Sequence, residues 1–90
     1  MHHLRGKLRE GDEVRLDPAN VYIHYQSAQA GGQVIGWYGY LLVASEGEVE
    51  PGTYTLALED GRSGSLRIDR LEPDDSGKYR AVFVGEGPLG

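Results

Sequence analysis

Glycine and proline punctuate this chain so densely that a helix has no room to form. Fourteen glycines and four prolines lie among ninety residues, and no window of about a dozen keeps its apolar residues at helical spacing. Between these breakers, apolar and polar residues alternate or form short apolar runs. That pattern predicts strands over about 3 to 9, 13 to 17, 20 to 26, 33 to 43, 53 to 59, 64 to 69 and 78 to 84. With no helix to make parallel crossovers, such strands must pair mostly antiparallel, as two packed sheets or as one sheet closed on itself. The expected fold class is therefore all-β, one domain over residues 1 to 90, since a chain of this length holds a single core.

The fourth of these segments, Gln33 to Val43, is the longest and most apolar, and Gly36 and Gly39 flank Trp37 and Tyr38 within it. Glycine inside a strand marks a bend or a bulge. By alternation Ile35, Trp37, Leu41 and Val43 share one face, and Val34, Tyr38, Tyr40 and Leu42 share the other. Both faces are apolar, so one enters the core and the other presents an exposed aromatic patch. Further on, Glu59-Asp60-Gly61-Arg62 separates two alternating runs. A two-residue Asp60-Gly61 loop would put Leu56 and Leu58 on the opposite face from Leu66 and Ile68. A three- or five-residue loop gathers Tyr54, Leu56, Leu58, Leu66 and Ile68 on one face, with Gly61 or Gly64 at positive φ.

Composition excludes more than it assigns. There is no cysteine, so disulfides, thiolate chemistry and sulfur metal sites are ruled out and the core must hold itself together. No run approaches a membrane span or the apolar core of a signal peptide. The compartment stays open: cytoplasmic if Met1 is the native start, extracellular or cell-surface if a signal has been removed. His2 and His3 are native or the remnant of a tag, in an end expected to be flexible. Residues 1 to 45 carry four basic and four acidic groups, whereas residues 46 to 90 carry five basic and ten acidic ones, which accounts for the net charge of −5. The excess falls mainly in predicted turns, as solvated acid that keeps a small β domain soluble. No concentrated Lys/Arg face is present, so no nucleic-acid partner is expected.

Reactive constellations are sparse. His24 alternates with Tyr22 and Gln26 on the more polar side of its strand, with no second metal ligand at a recognisable spacing, so a packing or surface role is expected. A hydrolase or lyase would have to recruit His24 and a carboxylate unaided, since Ser27, Ser45, Ser63, Ser65 and Ser76 have no nucleophile elbow. Asp69, Glu72, Asp74 and Asp75 carry enough carboxylate oxygens to converge on calcium, but the simpler expectation is an acidic turn paired with Arg62, Arg67 or Arg70. Gly61-Arg62-Ser63-Gly64 opens no helix and reads as a turn rather than a phosphate loop. No catalytic residue, metal ligand or cofactor is assigned.

Leu66-x-Ile68-x-x-Leu71-x-Pro73-x-Asp75-x-Gly77-x-Tyr79 resembles the end of strand E, the turn and the start of strand F in a variable-type immunoglobulin domain. The stretch Glu10 to Leu16 is similar to strand B of that family, and Trp37-Tyr38 to its strand C tryptophan and neighbour. The resemblance implies an antiparallel immunoglobulin-like sandwich of six to seven short strands without the disulfide, as in some adhesion receptors such as carcinoembryonic-antigen-like proteins. In it Val14, Leu16, Leu66, Ile68 and Leu71 would be core, Ala81 would replace the second cysteine, and Tyr79 would form the tyrosine corner. Few residues follow Tyr79, so strand G would be absent or supplied by a partner, leaving a free sheet edge. The alternative is a small closed antiparallel barrel, SH3-like, with Gly36 and Gly39 as corner-turning kinks.

Eight aromatic residues in so small a domain exceed what its core can hold, and those left outside suit contact surfaces. If Trp37, Tyr79, Ala81 and Phe83 point inward, then Tyr38, Tyr40, Arg80 and Val82 point outward on the same sheet. These four form the candidate binding face of a non-enzymatic recognition, adhesion or assembly module. Its expected partner is another protein or a second copy of the chain.

Overall fold

In the computed structural model, which describes residues 1–28 and 34–90 without the side chains of residues 27, 28, 34 and 35, the chain forms six strands. These are β1 (His2–Glu10), β2 (Glu13–Ala28), β3 (Val34–Val43), β4 (Gly52–Leu58), β5 (Ser63–Pro73) and β6 (Tyr79–Glu86). All pairs are antiparallel, and the ring order β1-β2-β3-β6-β5-β4 closes through pairing of β4 with β1. The small-barrel alternative is the one the chain takes. Gln33, expected to begin the fourth segment, lies outside the described residues. No described helix is long and apolar enough to cross a membrane.

Two of the expected strands are one. The segments 13 to 17 and 20 to 26 join as β2, because Gly6 pairs with Ala19 and Leu8 with Leu16, leaving Asp17 and Pro18 opposite Lys7 alone. Proline has no N–H to give the ladder, so it is accommodated where a bulge already interrupts pairing. A second shift pairs Val14 with the outward position Arg9. Val14 is consequently 44% exposed rather than core, while Leu16 packs against the core as expected.

The immunoglobulin-like sandwich is corrected at the very motif that suggested it. In that family the strands flanking the tyrosine corner lie in opposite sheets. Here β5 and β6 form one hairpin, paired from Pro73↔Tyr79 to Ser65↔Glu86. The two-residue gap between Ile68 and Leu71 is a bulge: register shifts between Ile68 and Arg70, and both flanking apolar residues face inward. The Asp74–Lys78 turn is closed by the Asp74 N–H to the Lys78 carbonyl at 2.7 Å. Among the described residues the Tyr79 hydroxyl makes no hydrogen bond back to the chain of the kind a corner tyrosine makes, and the nearby Glu46 carboxylate raises its pKa. Nor is there a free edge for a missing strand, since β6 pairs with both β3 and β5.

The β4–β5 connection follows the reasoning from side-chain faces. Ala57 pairs with Ser63, and the Leu58 N–H reaches the Arg62 carbonyl at 2.8 Å. Glu59, Asp60 and Gly61 thus form a three-residue loop, with Gly61 at φ 96°. Tyr54, Leu56, Leu58, Leu66 and Ile68 are all buried on one face.

Inside the barrel, Trp37 is the largest fully buried side chain and meets Phe83 edge-on, with centroids 5.7 Å apart. Space for the indole comes from Gly85, where an added Cβ would overlap the Trp37 ring itself. At Gly39 a Cβ would strike the Tyr22 carbonyl oxygen, so β2 and β3 can approach only because that position is bare. Each end of the barrel is sealed by an apolar side chain from outside the strands. Val49, in the β3–β4 connection, is fully buried, and that connection is pinned by the Tyr54 hydroxyl, which donates to the Glu50 carbonyl at 2.7 Å. At the opposite end Leu89 is buried. The C-terminal segment is tied down by the Trp37 Nε1–H to the Gly87 carbonyl at 2.9 Å and by paired bonds between Gly90 and Ser63.

Two outcomes follow for stability. Gly85→Ala is expected to cost about 1–3 kcal/mol by overpacking, whereas Gly47→Ala, with nothing within 4 Å of the new methyl, should be close to neutral; urea midpoints compare them. Leu89→Ala should cost about 2–5 kcal/mol, the range for truncating a buried leucine, if the tail plug is an integral part of the core.

Candidate functional site

Outside the core, a row of rings runs across β1, β2, β3 and β6. Register places His3 opposite Tyr22, Tyr22 opposite Tyr40, and Tyr40 opposite Val82. Period-two alternation then sends all of them outward, because Val21, Ile23, Leu41, Ala81 and Phe83 point in. The His3 and Tyr22 rings stack at 4.5 Å with 5° between planes, Tyr22 and Tyr40 at 4.9 Å with 18°, and the Arg80 guanidinium lies 5.1 Å from the Tyr40 centroid. One row further along the strands, His24 stacks on Tyr38 at 5.2 Å. Cross-strand aromatic pairs of this kind stabilise a sheet by about 0.2–1 kcal/mol each.

All four residues expected to form the contact face, Tyr38, Tyr40, Arg80 and Val82, occupy outward positions on the adjacent strands β3 and β6. Tyr38 is the most accessible of the rings there, at 40%. Arg80 is positioned twice, by Tyr40 below its guanidinium and by Asp74 at 3.4 Å, and its Nε is buried without an acceptor among the described residues. Beside Tyr38 lies a shallow slot of about 230 Å³, lined by Gln26, Gly36, Trp37, Tyr38, Val84 and Gly85. His3, Tyr22 and the slot were not assigned to the site from sequence. Alternation already showed that Tyr22 and His24 share a side, but the β2–β3 register that stacks them on Tyr40 and Tyr38 is a long-range property. His2 and His3, expected to be flexible, belong to β1, and His2 packs against Tyr25 at 4.6 Å.

The face is also electrostatically distinct. The outward positions Tyr22, His24, Gln26, Tyr38, Tyr40, Val82 and Val84 are uncharged, and the next outward residue of β6, Glu86, is reached by Arg67 at 3.4 Å. The nearest carboxylates on β5 and in its turn are engaged by arginines: Asp69 with Arg67 at 3.0 Å, Glu72 with Arg70 at 2.9 Å, and Asp74 with Arg80. Of the acidic residues considered for calcium, Asp69 and Glu72 pair with the expected Arg67 and Arg70, whereas Asp74 pairs with Arg80 and Arg62 pairs with Asp60 instead. No group of three or more candidate metal ligands occurs among the described residues. A hydrogen bond from Ser76 holds the Asp74 carboxyl below its ordinary pKa, and Arg62 does the same for Asp60.

His24 stacks on Tyr38 and takes part in no hydrogen bond or ion pair among the described residues. A roomier surface groove, about 450 Å³, lies at the Val49 end of the barrel and includes Arg15, Asp17, Glu48 and Lys78. Its charges are largely committed, with Arg15 bonded to Glu10 and the Glu48 carbonyl, and Asp17 near Lys7. Comparison with protein-family models, curated proteins and solved structures finds no match to this chain.

One pH dependence can be worked out with its sign. A hydrogen bond to the Glu46 carboxylate raises the pKa of Tyr79 above its ordinary 10.0. A raised pKa favours the protonated phenol in the folded state, so its contribution is present below pH 10.0 and is lost as pH climbs through the raised value. Tyr79→Phe should remove that alkaline component while leaving the neutral-pH profile flat, as read by chemical denaturation across the alkaline range.

Proposed function

We propose that this chain is a non-enzymatic recognition module carried on a small antiparallel barrel, which contacts a protein partner through the outer face of β2, β3 and β6. One observation supports the reading above others: an ordered stack of His3, Tyr22, Tyr40 and Arg80, with the His24–Tyr38 pair beside it, on the outside of a barrel already filled by Trp37 and Phe83. Tyrosines held this way offer large, rigid contact area with a polar tip and lose little conformational freedom on binding. Their ring faces are largely occupied by one another, so they present edges and hydroxyls. That suits a protein surface better than a sugar or a base, which would need open ring faces. Recognition through a face replaces recognition through a free edge, since β6 has neighbours on both sides. The enzymatic alternative on His24 needs a carboxylate in reach, and no bonded one supports it.

The double substitution Tyr38→Ser with Val82→Ser tests the role of the face. It should melt within a few degrees of wild type, because both side chains point outward, yet lose association with partners retained by the wild-type protein; Lys78→Ala, in the groove at the Val49 end, should lose none. A double variant that keeps the same partners with the same affinity would remove the face from the function.

A further inference from the structure

Asp60 is the only aspartate in the chain that is followed by glycine, and it sits at the tip of the exposed β4–β5 loop. Gly61 adopts φ 96°, and a Cβ added there would meet nothing within 4 Å, so no side chain shields its amide. Asn20, the chain's one asparagine, precedes the β-branched Val21 inside β2, and Asp17 precedes Pro18, which has no N–H. The amide of Gly61 is thus the least hindered nucleophile that follows a side-chain carbonyl. Its attack on the Asp60 Cγ closes a five-membered imide, with the amide proton and the carboxyl hydroxyl leaving together as one water. When water adds back at the former main-chain carbonyl, the chain runs on through Cγ and the old α-carbonyl becomes the free carboxylate. Mass and charge are restored, one methylene has entered the main chain, and solvent water is the only co-reactant.

We propose that Asp60 is a self-modification site that rearranges to isoaspartate through this imide, and that Arg62 is the positioning residue that holds the reaction back. Two requirements of the reaction are blocked. The carboxyl must be neutral to lose its hydroxyl, yet both of its oxygens are held as carboxylate. Oδ1 accepts from the Arg62 backbone N–H at 3.0 Å, and Oδ2 accepts from Arg62 Nε at 2.9 Å and faces Nη2 at 2.9 Å. The nucleophile must be free to turn towards Cγ, yet the Gly61 N–H donates to the Leu58 carbonyl at 3.1 Å. Arg62 is itself anchored from the far side by Tyr25, donating to its hydroxyl at 2.9 Å with the guanidinium 5.5 Å from the ring centroid. Tyr25 and Arg62 therefore form a latch across the loop tip. The extra methylene would fall among the three residues that set the β4–β5 register, beside the Leu58 N–H bond to the Arg62 carbonyl and the bonds between Ser63 and Gly90. The site lies apart from the stacked rings of β2, β3 and β6, and the reaction does not depend on what that face binds.

The full-length chain is incubated for weeks near neutral pH and then digested, and isoaspartate is located and counted by electron-transfer fragmentation. Thermal melts before incubation confirm that every variant is folded. The expected result is slow accumulation at residue 60 ahead of every other aspartate in wild type. Arg62→Gln should accelerate it roughly tenfold, the weight of one lost charge-assisted hydrogen bond. Arg62→Lys, which keeps the charge without the fork, and Tyr25→Phe, which unlatches the arginine, should fall between the two. Arg67→Gln removes a comparable ion pair with Asp69 away from the loop and should keep the wild-type rate. An Asp60 that stays intact in both wild type and Arg62→Gln, or isoaspartate that forms first elsewhere, would overturn the site. Equal rates in wild type and Arg62→Gln, no restoration by Arg62→Lys, or an equal acceleration by Arg67→Gln would overturn the role of Arg62.

Discussion

Trp37 can fill one end of the barrel only because Gly85 leaves a bare stretch of backbone for its indole to lie on. Most of the architecture at that end depends on this contact. The indole N–H, pointing away from the core, captures the Gly87 carbonyl and so turns the chain after β6 back across the opening. That turn brings Leu89 over Gly64 and lets Gly90 pair with Ser63. Trp37 is also one of the residues lining the slot beside Tyr38, so the residue that organises the interior also borders the outer surface. A buried aromatic with a satisfied N–H combines large apolar burial with a directional bond, which is why one side chain can set both packing and chain path.

Much of this was legible in the sequence wherever the deciding physics was local. Placing Leu56, Leu58, Leu66 and Ile68 on one face required a three- or five-residue loop, and the chain forms the three-residue one with Gly61 at positive φ. Alternation along β3 and β6 likewise sent Tyr38, Tyr40, Arg80 and Val82 outward. Illegible were the features decided by distant partners. Pro18 looks like a strand break, yet the ladder with β1 runs on past it through a bulge. The gap between Ile68 and Leu71 has the spacing of a turn between two sheets, whereas a bulge produces the same spacing within one strand. Bulge and corner both invert the inward face by one residue, so the pattern of apolar positions cannot distinguish them.

The stacked rings show how a sheet's own stabilisation can prepare a surface for contact. Each ring in the His3–Tyr22–Tyr40 row is held by its neighbour, and Arg80 caps the end of the row while paired with Asp74. Side chains immobilised before any partner arrives have little rotamer freedom left to lose, and that lowers the cost of association. The arginine–carboxylate pairs along β5 act alongside this by keeping the chain's acidic excess away from the aromatic rows.

A ring of strands has no outermost member to fray. Its weak point is instead the shortest seam, and here that is β1 with β4, joined over only four paired positions from Gly6↔Leu58 to Arg9↔Thr55. Hairpin neighbours such as β4 and β5 can assemble early, since few residues separate them, whereas the β1–β4 seam closes the longest loop. The barrel should therefore zip shut there last and unbutton there first. Amide exchange in the other five seams would then have to wait for, or bypass, that single opening, which gives the domain one cooperative breathing mode in place of independent fraying at its edges.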